Sequence, residues 1–269
     1  MNSRNHIDYV LHLADNALVL GHRNSEWTGH GPILEQDIAL SNIALDLIGQ
    51  ARYLYQYAAQ LINAGQGEGK APVTEDLLAY MRDSWDFRNC LLVEQDNGDW
   101  GKTVLRQFLF SAWQFCFYRE LQGRRDRELS AIAEKSLKEV TYHLRWSSEW
   151  VIRLGDGTEE SHARMEKAVD ELWMYTSELF RPAGYEEALV AVDIAVDVPG
   201  LRPLWMERVQ QVMSEATLTM PPVTVQPSSI ARPSSIVQQG GKEGIHTEQL
   251  GYLLAEMQFL QRAYPDCEW

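Results

Sequence analysis

Hydrophobic residues recur at helical spacing along most of the chain. The first run lies near the amino terminus, and its apolar positions are Ile7, Val10, Leu11, Ala14 and Leu18. Spacings of three and four residues place such positions on one face of a helix. A longer run follows from Pro32, which suits the first turn of a helix because it lacks an N–H that would have no intrahelical partner there. The pattern predicts two long helices in the first quarter of the chain.

Residues that typically cap helix starts precede three further runs. Thr74 stands before "EDLLAYMRDSWDFRNCLLVEQ", Asp126 before "RELSAIAEKSLKEVTYHLRWSSEWVIRL", and Thr158 before "ESHARMEKAVDELWMYTSELF". A hydroxyl or carboxylate at such a position accepts a backbone N–H of the first turn. The aromatic-rich "KTVLRQFLFSAWQFCFYRELQ" lies between the first and second of these runs. We expect two shorter helices near 200–217 and 246–264.

The chain has no convincing alternation of period two and no repeat of fixed length. We therefore predict an all-α fold in a single domain that spans residues 1–269. Residues 221–244 are rich in Pro, Ser and Gly, and this composition predicts a long loop.

Composition and charge limit the possible partners. Hydrophobic residues make up 45% of the 269 positions, which is enough for a sizeable core, and the net charge is −14. Phosphate contacts need a basic surface, so non-specific nucleic-acid binding is disfavoured. Asp8, His12 and Asp15 interrupt the first apolar run, which is therefore neither a signal peptide nor a membrane span. We expect a cytoplasmic protein with no nucleic-acid or membrane partner.

One stretch, "KEVTYHLRW", nearly matches a metal-binding motif. Ferritin-like di-iron sites use Glu-x-x-His on each of two core helices, with carboxylates from two others. Here Val140 stands three residues before His143, and Glu139 lies one place too early. Of the seven histidines, His143 is the one that we place mid-helix in a strongly apolar context. We interpret it as a core or interface histidine, since a single Glu–His pair supplies too few ligands for a tight site.

Two exact Glu-x-x-His matches lack the right surroundings. The first, Glu159 with His162, lies at the exposed opening turn of a predicted helix, and the second, Glu243 with His246, spans a glycine in a loop. A motif outside its structural context is weak evidence, so we do not expect either pair to bind metal.

Several strings resemble one known family over nearly the whole chain. They are "NSEWTGHGP", "IALDLIGQAR", "LLVEQDNGDW", "KEVTYHLRW", "GIHTEQLG" and "LAEMQFLQR". They are similar to the non-catalytic C subunits of phenylacetyl-CoA epoxidase, a multicomponent bacterial monooxygenase. The resemblance implies a ferritin-like helical bundle with extra helices.

The same strings also resemble the catalytic A subunit of that enzyme, which is a di-iron protein. Its first motif, Asp-Glu-Ala-Gly-His, matches residues 46–50, where the ligand positions hold Leu47 and Gln50. Its second motif, Glu-Glu-Ser-Phe-His, matches residues 139–143, where Val140 replaces the ligand Glu and His143 persists.

Extending this match without gaps places Ala17 and Ser111 where the other two helices would supply carboxylates. The resemblance thus implies a degenerate di-iron site and no cofactor in this chain, with the iron in the catalytic partner. Apolar replacements also make physical sense, because unused charged ligands in a core would be costly to bury.

Two segments are implied to contact the coenzyme A ester. The first consists of Asp86, Phe87, Arg88 and Asn89, and the second of Glu187, Ala188 and Leu189. An arginine suits coenzyme A phosphates. The alternative interpretation is that Arg88 forms a structural ion pair inside the bundle.

The resemblance predicts a structural subunit that packs against the di-iron catalytic A subunit of a phenylacetyl-CoA epoxidase and stabilises it. Its other partners would be further epoxidase subunits, including a reductase, and phenylacetyl-CoA through the complex. One alternative is a metal-dependent oxygenase with an unconventional site built from Glu139, His143, Asp46 and Asp37. Another is a helical module that binds an acyl-CoA without a partner.

Overall fold

The computed structural model describes residues 3–67, 69–221, 238–265 and 267. Within these ranges all regular secondary structure is helical. Most of the predicted loop over 221–244 lies outside the described residues, because residues 222–237 are not among them. Across the described ranges, no helix is both long and apolar enough to cross a membrane.

The helices follow one another along the whole described chain. The α-helices are α1 (Ser3–Ser25), α2 (Leu34–Ala64), α3 (Glu75–Tyr80), α4 (Leu91–Glu94), α5 (Trp100–Leu121), α6 (Arg127–Gly155), α7 (Glu159–Leu172), α8 (Gly184–Val190), α9 (Val198–Glu215), α10 (Glu248–Met257) and α11 (Phe259–Ala263). Short 3-10 helices cover Ser84–Asp86, Trp173–Phe180 and Gly241–Glu243.

The chain divides into two compact units. The first unit contains residues 1–96, 183–195 and 240–269, and the second contains residues 97–182 and 196–239. The prediction of one domain over 1–269 stays a prediction.

The first unit is built around α1, which packs along α2 and also meets α4, α8 and α10. Residues 9–21 of this helix are all buried, and Tyr9, Val10, Ala14 and Val19 are fully so. A helix that is buried on all sides lies inside a core, and α1 occupies that position in the first unit.

The second unit is built around α5, which packs against α6, α7 and α9. Its aromatic side chains are mostly buried, and two tryptophan indoles satisfy their N–H groups on backbone carbonyls. Trp113 Nε1 donates to Leu179 O at 3.0 Å, and Trp205 Nε1 donates to Leu109 O at 3.0 Å. A buried indole N–H without a partner would be destabilising, so these bonds let the large rings fill the core.

The three predicted helix caps are confirmed. Thr74 Oγ1 accepts the N–H of Leu77, Asp126 Oδ1 that of Leu129, and Thr158 Oγ1 that of Ser161. The predicted start of α2 at Pro32 is two residues early, because Ile33 is extended and the helix begins at Leu34.

The prediction of one helix over residues 75–95 is wrong. α3 ends at Tyr80, a 3-10 turn follows, and α4 covers Leu91–Glu94. The backbone between these pieces is extended at Phe87 and at Cys90. We call residues 82–95 the crossing segment, and the contacts that hold it are described below.

Candidate functional site

Polar side chains on one face of α1 take over the backbone hydrogen bonds of the crossing segment. Asp15 Oδ2 accepts the N–H of Arg88 at 2.8 Å, and Asn16 Oδ1 accepts the N–H of Cys90 at 2.8 Å. His12 Nδ1 lies 2.6 Å from the carbonyl oxygen of Arg88 and donates to it. These bonds replace the i to i+4 bonds of a helix, which explains why the helix breaks here.

Asp15 also anchors the start of the crossing segment through a buried ion pair. Its carboxylate is fully buried and pairs with the guanidinium of Arg82, while the hydroxyl of Tyr55 donates to it. The guanidinium carbon of Arg82 lies 4.3 Å from the centre of the Phe87 ring. Burial and the negative charge of Asp15 raise the pKa of Tyr55. The cluster stabilises the segment in an extended path.

Glu94 collects four hydrogen bonds at the end of the crossing segment. Its Oε2 accepts from Asn89 Nδ2 at 2.8 Å and from His246 Nδ1 at 2.8 Å. Its Oε1 accepts from the N–H and the hydroxyl of Thr247, at 2.7 and 2.8 Å. Burial alone would lower the pKa of His246, but the hydrogen bond and the charge of Glu94 outweigh it and raise that pKa. The carboxylate of Glu94 therefore ties residues 246–247 to the crossing segment.

A second buried acid–base pair lies in the same unit. Lys242 Nζ is 2.8 Å from Glu186 Oε2, which also accepts the N–H of Ala183 at 2.8 Å. Burial would raise the pKa of Glu186, but the positive charge of Lys242 outweighs it and lowers that pKa. Burial and the charge of Lys242 lower the pKa of His12 to about 4, so that ring is neutral at pH 7.

His12 corrects one expectation from the sequence. His143 is fully buried within α6 as predicted, but His12 is also fully buried in the middle of α1. Its Nε2 lies 4.0 Å from Glu186 Oε1. The core context that we assigned to His143 is therefore shared by His12.

Two glycines allow residues 240–247 to approach the crossing segment closely. A Cβ atom on Gly241 would lie 2.2 Å from the carbonyl oxygen of Asn89. A Cβ on Gly244, whose φ is +83°, would lie 2.4 Å from the carbonyl oxygen of Trp85. Both distances are too short for any other residue, so this backbone contact depends on glycine.

The structure places the predicted coenzyme A residues in two different kinds of surroundings. Phe87 and Asn89 are fully buried, and Arg88 donates from Nη1 to the carbonyl oxygens of Trp85 and Phe87. Asp86 is exposed, and its carboxylate accepts the N–H of Asp83.

In the second predicted segment, Glu187 and Ala188 are exposed on α8 and Leu189 is buried. The surroundings of Arg88 resemble neither the predicted ion pair nor an open phosphate site, since its guanidinium meets carbonyl groups of its own segment. The role of both segments in substrate binding stays a prediction.

The six positions that match di-iron ligands are all buried. Ala17 lies on α1, Leu47 and Gln50 on α2, Ser111 on α5, and Val140 and His143 on α6. Ala17, Leu47 and Val140 carry no ligating atom. The hydroxyl of Ser111 accepts a hydrogen bond from Gln107 Nε2 at 2.8 Å. As a set, these residues do not fit a di-iron centre, because carboxylates are its main ligands.

The alternative oxygenase site also finds little support. Asp37 Oδ2 accepts the N–H groups of Gly29 and Gly31, at 2.8 and 3.0 Å, and so closes the turn before α2. Within the part of the chain that the structure describes, no group of three or more His, Cys, Asp or Glu side chains is placed to hold a metal ion.

The exact Glu-x-x-His matches have other partners. Nδ1 of His162 lies 2.7 Å from the carbonyl oxygen of Gly155, and His246 bonds to Glu94 rather than to Glu243. Sequence reasoning missed Glu94 and Lys242, whose partners are far away along the chain. The sequence feature that could have indicated these contacts is the set of polar residues His12, Asp15 and Asn16, which share one face of α1 in its apolar middle part.

Exposed apolar side chains are concentrated on the first unit. All but two of the large hydrophobic residues exposed in the described chain belong to it, and the exceptions are Tyr142 and Leu204. Leu34, Ile38 and Leu45 form one stripe along α2, since spacings of four and eleven residues return to the same helix face. We call these three residues the α2 stripe.

A groove lies beside another part of this apolar surface. It has a volume of about 510 Å³ between the turn at Asp83–Trp85 and helices α10 and α11. Trp85 and Phe259 line it with largely exposed rings, and Arg262 forms an ion pair with Asp83 at its edge. Exposed apolar residues that line a groove in this way are found where proteins bind other molecules.

Within the described ranges the structure defines the class of the protein as all-helical, with buried hydrocarbon side chains at three of the six matched positions, Ala17, Leu47 and Val140. The family model for phenylacetic acid catabolic proteins matches residues 1–269, and the chain belongs to that family. The family is ferritin-like and helical, so the predicted fold class is confirmed.

A curated relative makes the assignment more specific. The chain is 45% identical over 261 residues to the C subunit of the 1,2-phenylacetyl-CoA epoxidase of Escherichia coli (strain K12), and the match covers 97% of this chain and 98% of that protein. The resemblance drawn from the sequence strings is thereby confirmed.

Proposed function

We propose that this chain is the structural, non-catalytic subunit of a phenylacetyl-CoA ring epoxidase. It packs against a di-iron catalytic subunit and stabilises that subunit's fold. Iron belongs to the catalytic partner, and the assembly includes further subunits with a reductase among them. Phenylacetyl-CoA meets this chain through the complex. The similarity to the C subunit of an epoxidase supports the proposal.

The observation that carries the proposal is the uneven distribution of exposed apolar side chains. Leu45 is 66% exposed and Ile38 is 52% exposed on α2, and they belong to the unit that bears nearly all such residues. Burying a leucine at an interface contributes roughly 1.5–3 kcal/mol. A partner that covers the α2 stripe would therefore gain a large part of its affinity there.

The residues at the matched ligand positions support a non-catalytic role. Leu47 and Val140 are fully buried hydrocarbons where the resemblance implies ligand carboxylates. Buried glutamates without a metal would lose solvation without gaining a ligand bond, so hydrocarbon side chains favour the fold in a subunit that binds no iron.

The test is retention of the catalytic subunit by the tagged, full-length chain after co-expression of the two. We expect stoichiometric retention and a higher thermal midpoint for the catalytic subunit in the complex than alone. Ile38→Asp and Leu45→Asp should weaken retention, because each puts a charge into the covered stripe. Leu204→Asp is the matched control, since Leu204 is 53% exposed but lies on α9 in the second unit.

Two results would contradict the proposal in different ways. If the wild-type chain retains no catalytic subunit, the structural role is wrong. If Leu204→Asp abolishes retention while the α2 variants bind normally, the role stands but the surface is misassigned. Far-UV circular dichroism of each variant shows that a loss of binding does not come from unfolding.

A further inference from the structure

Residues 240–247, here called the clasp, are held on the first unit by two buried acid–base pairs. Lys242 pairs with Glu186 near its start, and His246 pairs with Glu94 near its end, both at 2.8 Å. The carboxylates are fully buried, and the lysine and histidine side chains are almost so. The clasp also carries Ile245, which is largely exposed, and leads directly into α10.

The hydrogen bonds of His246 determine its charge. Nδ1 lies 2.8 Å from Glu94 Oε2, and Nε2 lies 3.1 Å from the carbonyl oxygen of Phe87. A carboxylate and a carbonyl oxygen both accept hydrogen bonds and cannot donate them. Both ring nitrogens must therefore carry a proton, so the closed clasp contains an imidazolium paired with a carboxylate.

Loss of one proton from the His246 ring would break one of its two hydrogen bonds, either that to Glu94 or that to the carbonyl oxygen of Phe87. A neutral imidazole has one donor and one acceptor, so one nitrogen would then face an oxygen that also accepts. At the same time Glu94 would lose its cationic partner, although the hydrogen bonds from Asn89 and Thr247 would remain. The neutral form of His246 therefore favours an open clasp.

Charged and titratable groups face the clasp from the crossing segment, α1 and α8, and Glu248 follows it at the start of α10. They are Glu94 and Arg88 on the crossing segment, His12, Asp15 and Arg23 on α1, Tyr185 and Glu186 on α8, and Lys242 and Glu243 on the clasp itself. Three of them have shifts that take them away from neutral pH. The pKa of His12 is lowered to about 4, that of Glu186 is lowered, and that of Tyr185 is raised.

We propose that the clasp is a pH-dependent latch, closed while His246 is protonated and released when His246 loses its proton. The direction follows from linkage: the closed state binds this proton more tightly than the open state, in which the ring is solvated. The latch is therefore strongest below the ordinary histidine pKa of 6.5 and weakens as pH rises through the raised pKa of the closed state.

The latch is tested by hydrogen exchange of the full-length chain, followed by mass spectrometry. The pH runs from about 6 to about 9.5, which begins just below the ordinary histidine pKa and ends just below that of tyrosine. The readout is the protection of the clasp amides, among them the N–H of Thr247 that is bonded to Glu94, after correction for intrinsic exchange. We expect the opening constant to be flat below pH 6.5, to rise above it by at most tenfold per pH unit because a single proton is lost, and to level off beyond the raised pKa of His246. Peptides from α6 serve as the internal reference.

Variants separate His246 from other sources of pH dependence. His246→Gln removes the titration, so the rise with pH should disappear. His162→Gln is the matched control, because His162 lies in the second unit and should leave the clasp profile unchanged. If His246→Gln does not fold, a proton NMR titration of the wild-type chain still decides, since the proposal requires the His246 ring to titrate above 6.5.

Three outcomes would overturn the latch. They are clasp protection in the wild-type chain that does not change with pH, a rise that persists in His246→Gln, and a His246 ring that titrates at or below 6.5. None of these measurements uses the catalytic partner, so they do not depend on the proposed function.

Discussion

Removal of one partner from the buried Glu186–Lys242 pair should destabilise the first unit strongly. In Lys242→Met the carboxylate of Glu186 keeps only the N–H of Ala183, while its Oε1 has no hydrogen-bond partner among the described residues. Breaking a buried ion pair on one side costs about 3–5 kcal/mol, because the remaining charge stays in the interior. Methionine keeps most of the volume of the lysine stem, so the loss reports the charge rather than a cavity.

The double variant separates the charge effect from packing. Glu186→Gln alone leaves the buried ammonium of Lys242 without its carboxylate and should cost a similar amount. Combining it with Lys242→Met removes both charges, while the glutamine oxygen can still accept the N–H of Ala183. We expect the double variant to be less destabilised than the sum of the single variants by roughly 2–4 kcal/mol.

The assay is urea unfolding followed by far-UV circular dichroism, with the transition of the first unit analysed by itself if the two units unfold separately. Lys138→Met is the matched control, since Lys138 is largely exposed and its ion pair with Glu134 spans 3.9 Å. A surface pair of this kind contributes about 0–1 kcal/mol. A loss below about 1 kcal/mol in Lys242→Met, or strictly additive single variants, would refute the reasoning.

Three further predictions concern the same unit. Gly241→Ala should lower the thermal midpoint by several degrees, because its Cβ would lie 2.2 Å from the carbonyl oxygen of Asn89; an unchanged midpoint would contradict this close approach. Asp15→Ala should cost about 3–5 kcal/mol in urea unfolding, since it leaves the guanidinium of Arg82 without its buried partner, and a loss under 1 kcal/mol would show that the ion pair is not needed. Acid should weaken the first unit through Glu186, because the pKa of this carboxyl is lower in the folded chain than in the unfolded one. Its contribution to the free energy of unfolding is therefore full above the ordinary carboxyl pKa and is lost as pH falls through the lowered value. A Glu186→Gln chain should lack this part of the acid transition.

Local patterns were enough to predict most of the helices. Thr74, Asp126 and Thr158 cap the helices that follow them, because capping depends on the three or four residues that come next. The spacing of apolar residues likewise identified α1 and α2, since burial on one side of a helix repeats every three to four positions.

The crossing segment could not be predicted in the same way. Its sequence, "RDSWDFRNCLLVEQ", contains neither proline nor glycine and is compatible with a helix. It breaks because Asp15, Asn16 and His12, more than seventy positions away, offer its backbone groups better partners than the next helical turn would. Such competition depends on tertiary contacts, and helix propensity is only a weak guide where they act.

The same contacts give residues 86–89, which the sequence predicted to contact the coenzyme A ester, a structural role in the first unit. Non-helical backbone in a core, as at Phe87 and Cys90, must satisfy its N–H and C=O groups on other partners, and side chains that do so must themselves be buried and paired. Asp15 meets this requirement through Arg82, and Glu94 meets it through His246.

A change at either pair would shift the path of residues 86–89 and the apolar surface near Trp85 together. Loss of partner binding after such a change would therefore not identify a contact residue, and the exposed α2 stripe offers the cleaner test because its side chains take no part in this network.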